Sequence, residues 1–252
     1  FMITSLFTSI MGIYTVRNLR RRSQLFTAIF VLIGCSTLAI IGQGLFKGYD
    51  WQIMSYDMMN LLLLSVLSPI LTYGLIGILE VSFGITTNLT LIELLDFQQP
   101  LLKRLQQEAN GTFNHCVVVG NLAEACADAI GANSLLCRVG AYYHDIGKML
   151  RPEYYIENQY GGENKHDKLT PVMSAKIIKS HVSDGLLLAK EYSLPKIVSD
   201  FIPMHHGTSR VEYFYRQALE KDNNVDEEQF KYSGPKPNTK ETGILMICEA
   251  IE

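Results

Sequence analysis

Histidine and aspartate are concentrated in the second half of the sequence, where histidines recur at intervals of about one helical hairpin. All six histidines follow residue 114, and two of them are followed directly by aspartate. They are His115, His144, His166, His181, His205 and His206. Imidazole and carboxylate groups suit Fe, Mn or Zn, and a carboxylate beside a histidine can bridge two ions. The pattern predicts a centre of two divalent transition-metal ions, which could bind phosphate oxygens and activate water for hydrolysis.

The doublet His144-Asp145 carries most of this prediction. An apolar helix leads into it, Gly147 allows a tight turn after it, and Lys148 adds a cation within reach of the same ligand. Chance adjacency is the alternative for one isolated doublet. The surrounding sequence favours the functional interpretation, with Asp145 and Lys148 as catalytic residues.

A second doublet, His166-Asp167, has a different setting. It lies between the glycine pair 161–162 and Pro171, and no apolar helix precedes it. This position predicts a loop or a helix N-cap. A contact between His166 and the edge of a bound substrate is the alternative, and both interpretations are favoured over metal ligation.

The elements around these residues have helical periodicity, and alternating strand patterns are missing from the sequence. Helices are predicted at 118–130, 134–144, 171–180, 184–192, 195–205, 211–221 and from 239 onward, with loops at 161–162 and 222–238. Packed helices of this length can bring their ends, and so the histidines, into one pocket.

The first third of the chain is different, because only seven charged residues occur before Glu80. The uncharged runs 23–46 and 58–79 are long enough to cross a bilayer, and 1–16 is a shorter apolar helix. Buried helices of a large soluble core are the alternative. The chain is predicted to be all-α: a transmembrane region (1–83), a juxtamembrane connector (84–110) and an all-helical domain (111–252).

Charge and cysteine content indicate the compartment. Arg17, Arg20, Arg21 and Arg22 lie in the first loop, whereas the predicted second loop, 47–57, has one lysine and two aspartates. Arginine-rich loops stay on the cytoplasmic side of a membrane. The next helix then leaves the cytoplasm and the one after it returns, so the last domain should be cytoplasmic. Five cysteines without a C-x-x-C pair indicate reduced thiols, and a net charge of −3 argues against a nucleic-acid polymer as partner.

Several motifs resemble those of bacterial seven-transmembrane HD-domain phosphodiesterases of the PgpH type. The likeness extends over about the whole chain and is carried by Asn114-His115, the segment from Gly140 to Lys148, Glu157-Asn158-Gln159, His166-Asp167-Lys168-Leu169, Ser180-His181-Val182 and His205-His206-Gly207-Thr208. The resemblance implies an HD domain that hydrolyses cyclic di-AMP to linear pApA with two Fe or Mn ions at the cytoplasmic face of a membrane. A homodimer is left open.

The resemblance also implies roles for individual residues. His115, His144 and Asp145 would hold one ion, and Asp145 would bridge to a second ion on His181, His205 and His206. Lys148 would face the phosphate. The family has a further aspartate in the last helix, where this chain has Glu249 as the expected ligand. The alternatives are a membrane receptor that binds a nucleotide or partner without turnover, or an HD enzyme acting on cyclic di-GMP or dNTPs. Enzymes for cyclic di-GMP usually carry Gly-Tyr-Pro after His-His-Glu, and this chain lacks that tripeptide.

Overall fold

The computed structural model describes residues 2–17, 23–159, 161, 163–222 and 224–252. Within these ranges the backbone forms α-helices and short 3-10 turns, and no β-strand is present, which confirms the predicted all-α class. The chain divides into two compact units, Phe1–Ile92 and Glu93–Glu252. The predicted boundaries at 83/84 and 110/111 stay predictions.

The first unit contains three apolar helices, α1 (Met2–Val16), α2 (Ser23–Lys47) and α3 (Trp51–Phe83). By length and composition, Thr27–Lys47 and Trp51–Phe83 are long and apolar enough to cross a membrane. The predicted spans 23–46 and 58–79 fall inside α2 and α3. The residues Arg20, Arg21 and Arg22, on which the predicted orientation depends, lie outside the described residues.

The predicted second loop, 47–57, is wrong in length. Helix α3 already begins at Trp51, so only Gly48, Tyr49 and Asp50 separate it from α2. The Asp50 carboxylate accepts a hydrogen bond of 2.8 Å from the Trp51 amide and caps the helix. The sequence analysis assigned Asp50 to the loop, whereas in the structure it caps the start of α3.

The second unit is built from helices of 4 to 21 residues. After α4 (Asn88–Leu94) follow α5 (Pro100–Glu108), α6 (Asn110–Ile130), α7 (Ser134–Tyr143), α8 (Pro171–Glu191), α9 (Lys196–Ser199), α10 (Phe201–Met204), α11 (Glu212–Leu219) and α12 (Lys240–Ile251). Short 3-10 turns occur at Ile146–Leu150, Pro152–Tyr154, Ile156–Asn158, Lys165–Lys168 and Glu227–Phe230.

Four predicted helices differ from those observed. The predicted pair 171–180 and 184–192 is the single helix α8, because no proline interrupts it. The predicted helix 195–205 is two short helices, since Pro203 has no N–H to donate to the carbonyl of Ser199. Helix α6 begins at Asn110 rather than at 118. Each difference changes where a histidine lies relative to the ends of a helix. The order in which the helices supply the histidines stays the same.

Close helix packing positions the site. Helices α6 and α7 pack on each other, α12 packs on both, and α8 packs on the turn Ile146–Leu150. Gly147 of that turn is buried where α8 passes, next to the backbone of His181 and Gly185. Because glycine has no Cβ, the turn that follows Asp145 can touch the backbone of α8. This contact brings His181 beside Asp145.

Candidate metal centre

Six of the predicted ligands and Glu249 converge into two adjoining sets within the second unit. Helix α6 supplies His115, the end of α7 supplies His144 and then Asp145, α8 supplies His181, the end of α10 supplies His205 and His206, and α12 supplies Glu249. The first set is His115, His144, Asp145 and Glu249, and the second is His181, His205 and His206. In each set the donor atoms lie within 4.8 Å of one another.

Asp145 faces both sets with different oxygens. Its Oδ2 lies 3.3 Å from His144 Nε2 and 3.7 Å from His115 Nε2. Its Oδ1 lies 3.4 Å from His181 Nε2 and 3.6 Å from His205 Nε2. The side chain is fully buried. A carboxylate placed in this way can donate one oxygen to each of two ions, which is the arrangement of a bridging ligand.

The backbone holds three of the histidines in one tautomer. His144 Nδ1 donates to Ala141 O at 2.7 Å, and His181 Nδ1 donates to Ile178 O at 2.6 Å. His205 Nδ1 donates to Ile202 O at 2.7 Å in the same way. A ring whose Nδ1 carries the proton has its lone pair on Nε2, and such outer hydrogen bonds commonly orient metal-ligating histidines. The Nε2 atoms of His181 and His205 then point their lone pairs into the pocket, and His144 Nε2 faces the same pocket.

The buried polar atoms of this pocket need a cation. His144 Nε2 and Asp145 Oδ1 are buried without a hydrogen-bond partner, and Asp145 Oδ2 pairs with the Lys148 ammonium. His181 Nε2 and His205 Nε2 lie only 3.2 Å apart, although each should carry a lone pair. Unpaired buried acceptors are costly, and two facing lone pairs repel each other. Divalent ions bound between the two sets would satisfy these atoms, so the residues present fit a metal centre.

Protonation differs between the two sets. In the first set, burial opposes the charge on His144, but the Asp145 carboxylate raises its pKa well above the ordinary value. In the second set, burial lowers the pKa of His181, lowers that of His205 strongly, and lowers that of His206 to about 3. The second set therefore presents neutral imidazoles near pH 7, the form that ligates metals. In the first set a metal ion must displace a proton.

Glu249 reaches the first set despite its extra methylene group. Its Oε2 lies 3.0 Å from His115 Nε2 and 3.2 Å from His144 Nε2. Burial would raise its pKa, but the neighbouring His144 charge and the bond to His115 hold the pKa well below the usual range. Glu249 is thus an ionised carboxylate in a ligand position.

Lys148 lies at the rim of the first set. Its Nζ is 2.6 Å from Asp145 Oδ2 and 3.0 Å from Glu157 Oε1. Burial penalises its charge, but Asp145 and Glu157 raise its pKa well above the ordinary value. The side chain is therefore a fixed ammonium ion next to the Asp145 carboxylate. Burial would raise the pKa of Asp145, but this ammonium helps to hold it well below normal.

His166 lies in a different environment from the other histidines. Its Nε2 pairs with Tyr154 O at 2.9 Å, and its ring packs against Phe214 with centroids 4.9 Å apart. Among the described contacts, none joins it to the two ligand sets. Its predicted contact with substrate stays a prediction.

The sequence interpretation gave no role in the site to three residues that lie near the ligands. Glu252 Oε2 lies 2.9 Å from His115 Nδ1, Glu157 pairs with Lys148, and the Tyr232 ring stacks on His206 with centroids 4.2 Å apart. Glu252 could have been found, because it follows Glu249 by about one helical turn. Tyr232 gave no such signal, since it lies in a predicted loop.

Fold and site together define a helical domain of the HD type. Residues 112–252 match the family model described as HD domain, and residues 1–87 match the model described as 7TM receptor with intracellular HD hydrolase. The chain belongs to the HD domain family. HD domains bind divalent metals, and the His and Asp cluster could hold them.

Known proteins are similar over most of the chain. It is 39% identical to the cyclic-di-AMP phosphodiesterase PgpH of Bacillus subtilis over 246 residues, which are 96% of this chain and 34% of that protein. It is 50% identical to PgpH of Listeria monocytogenes over 183 residues, which are 73% of this chain and 26% of that protein. The chain thus spans about a third or less of the length of these relatives.

A solved structure is also similar. The crystal structure of the L. monocytogenes PgpH HD domain in complex with cyclic di-AMP superposes with a TM-score of 0.60 and 51% sequence identity. The match covers 62% of this chain and 73% of that one. The predicted relationship to seven-transmembrane HD proteins is confirmed.

Proposed function

We propose that this chain hydrolyses cyclic di-AMP to linear pApA through the HD domain. The observation that carries the proposal is the buried Asp145 carboxylate, which faces one ligand set with each oxygen and whose Oδ1 has no hydrogen-bond partner. Two-metal sites of this kind catalyse in-line displacement at phosphorus. The substrate is supported by the names of the two relatives and by the ligand of the similar crystal structure.

We further propose that the centre holds two ions, Fe or Mn. His115, His144, Asp145 and Glu249 would hold one, and His181, His205 and His206, with Asp145, would hold the other. Mixed imidazole and carboxylate donors suit these metals. Bound there, the ions would supply Lewis acidity toward the phosphodiester and an acidified water. Elemental analysis of the purified chain should find two transition-metal ions per chain, and a receptor that only binds a nucleotide would have no need of them.

The protein groups have separate tasks in this reaction. Asp145 sets the spacing of the two ligand sets, and its burial keeps bulk water from its oxygens. The Lys148 ammonium can donate to a non-bridging phosphate oxygen and offset the charge that grows there. The oxygen of a water molecule bonds to one phosphorus, the bond from that phosphorus to the 3′ oxygen breaks, and the 3′ oxygen takes up the proton that the water loses and becomes a hydroxyl. The product carries one 5′ phosphate and one remaining diester.

One experiment tests the assignment directly. The metal-loaded chain is incubated with cyclic di-AMP, cyclic di-GMP and dATP side by side, and the products are identified. We expect pApA from the first as the fastest reaction. A chain with His144→Ala and Asp145→Ala should lose hydrolysis while keeping its helical content. Equal or faster cleavage of dATP or cyclic di-GMP would overturn the substrate, and turnover by the double variant would overturn the site.

The membrane setting is part of the proposal. Helices α2 and α3 would cross a bilayer, and Arg17 and the arginines after it would keep their loop, and therefore the HD domain, in the cytoplasm. Protease treatment of sealed inside-out and right-side-out vesicles tests this, because only inside-out vesicles should lose the HD domain. The homodimer left open by the sequence analysis would be tested by sedimentation of the detergent-solubilised chain.

A further inference from the structure

Lys148 is held between two carboxylates, and only one of them belongs to the ligand sets. Asp145 Oδ2 is 2.6 Å from the ammonium and is also the oxygen that faces His115 and His144. An ion bound to the first set would share this oxygen with Lys148. If the Lys148 ammonium had no other partner, it would compete with the metal ion for Asp145 Oδ2, because both cations need the lone pairs of that oxygen.

Glu157 offers the ammonium a second partner outside the ligand sets. Its Oε1 accepts from Lys148 Nζ at 3.0 Å and from Thr112 Oγ1 at 3.0 Å. Asn158 locks the same region, since its Nδ2 donates to Thr112 Oγ1 at 2.8 Å and its Oδ1 accepts from the Thr112 amide at 3.0 Å. The carboxylate is therefore anchored and is not a flexible surface group.

The backbone fixes this anchor at close range. A Cβ at Gly111 would lie 2.9 Å from Asn158 Oδ1 and still closer to the carbonyl oxygen of Glu157, so α6 and the turn Ile156–Asn158 are in direct contact. Thr112 and His115 are one helical turn apart on α6. The same helix end therefore carries a metal ligand and the anchor of Glu157, which sets the distance between the lysine and the ligand set.

We propose that Glu157 is a positioning residue for Lys148: it holds the ammonium beside the centre so that a metal ion can take Asp145 Oδ2 while the lysine still faces the phosphodiester. This rests on the proposed function. It assigns to Glu157 a task that a purely structural clamp would not have. If the residue only fixed the turn, its charge would be dispensable.

The test uses Glu157→Gln in the full chain, with Glu153→Gln as the matched control. Glutamine keeps the shape and can still accept from Thr112, but it lacks the charge that holds the ammonium. Glu153 is an acid of the same segment that pairs with Lys165 at 3.0 Å on the surface. Three quantities are measured: Mn²⁺ affinity of the metal-free chain by titration calorimetry, kcat/KM at saturating Mn²⁺, and thermal unfolding.

We expect Glu157→Gln to weaken Mn²⁺ binding at one site by about tenfold and to lower kcat/KM by about 10- to 100-fold, the scale on which misplacement of a catalytic group acts. Its unfolding temperature should match that of Glu153→Gln, which should behave as wild type in all three measurements. In a Lys148→Met background, Glu157→Gln should cause no further loss of activity, because the two residues act as one unit.

The rates are measured with cyclic di-AMP and with bis(p-nitrophenyl) phosphate, a general phosphodiester. If the wild type cleaves only the second compound, the proposed substrate fails, but the comparison of variants still decides the role of Glu157. Mn²⁺ affinity and rates of Glu157→Gln equal to those of Glu153→Gln would overturn the positioning role. The positioning role would also be overturned if the losses of activity from Glu157→Gln and Lys148→Met multiplied in the double variant.

Discussion

Replacing Gly147 by alanine should separate the two ligand sets of the metal centre. A Cβ at this position would lie 2.5 Å from the backbone nitrogen of Gly185 and 2.8 Å from the carbonyl carbon of His181, and closer still to the His181 oxygen. These are backbone atoms of α8, so no side chain can rotate away. Restoring ordinary contacts of about 3.5 Å requires the helix and the turn to move apart by roughly 1 Å or more.

Such a movement affects both stability and metal binding. Overpacking of a buried contact costs about 1–3 kcal/mol, which for a domain of this size lowers the unfolding temperature by roughly 3–10 °C. His181 Nε2 lies 3.4 Å from Asp145 Oδ1, and a shift of ~1 Å between them exceeds the ~0.2 Å tolerance of metal–ligand distances. We therefore expect the variant to lose the ion of the second set and its hydrolytic activity.

The assay combines thermal unfolding, followed by circular dichroism at 222 nm, with elemental analysis of the same preparation. Gly243→Ala in α12 is the matched control, because the nearest atom to its added Cβ is 4.0 Å away. In a helix interior this change should stabilise the chain by up to about 1 kcal/mol. A Gly147→Ala chain that melts with the control and retains two ions would refute the steric argument.

Three further predictions follow from the same geometry. Glu249→Asp should keep both ions and most activity, because aspartate supplies the same carboxylate donor, whereas Glu249→Ala should lose the ion of the first set. Elemental analysis would show this difference, and equal metal content in both variants would contradict the assignment. His206→Gln should make the metal-free chain less sensitive to acid. Burial and the neighbouring His181 lower the pKa of His206 to about 3, below the value of about 6.5 in an unfolded chain, so unfolding takes up a proton as the pH falls below about 6.5. The wild type should lose up to about 1.4 kcal/mol more per pH unit than the variant, measured as unfolding free energies at pH 7 and pH 5. Removing metal with a chelator should lower the unfolding temperature, and Mn²⁺ at about 100 times its Kd should restore about 2.7 kcal/mol; an unfolding temperature that does not respond to Mn²⁺ would exclude a centre formed in the folded state.

The sequence by itself determined the kinds of group in the site and the class of elements that carry them. Helical periodicity predicts the all-α class, and the setting of His144-Asp145 already separates this doublet from His166-Asp167. These are local properties, because each is read within a few turns of one helix. Local patterns failed at helix boundaries. A single side-chain bond starts α3 at Asp50, and α8 runs unbroken because no proline interrupts it.

Only the tertiary structure decided how the groups face one another. His115 and Glu249 are 134 residues apart, and the packing of α12 on α6 brings them to 3.0 Å. Which oxygen of Asp145 faces which ligand set depends on the contact between Gly147 and α8. Glu157 and Tyr232 enter the site from a turn and a loop that have no periodicity to read. Spacing along the chain limits which residues can meet on one helix, but contacts between helices depend on side-chain packing, which the chain acquires only when it folds.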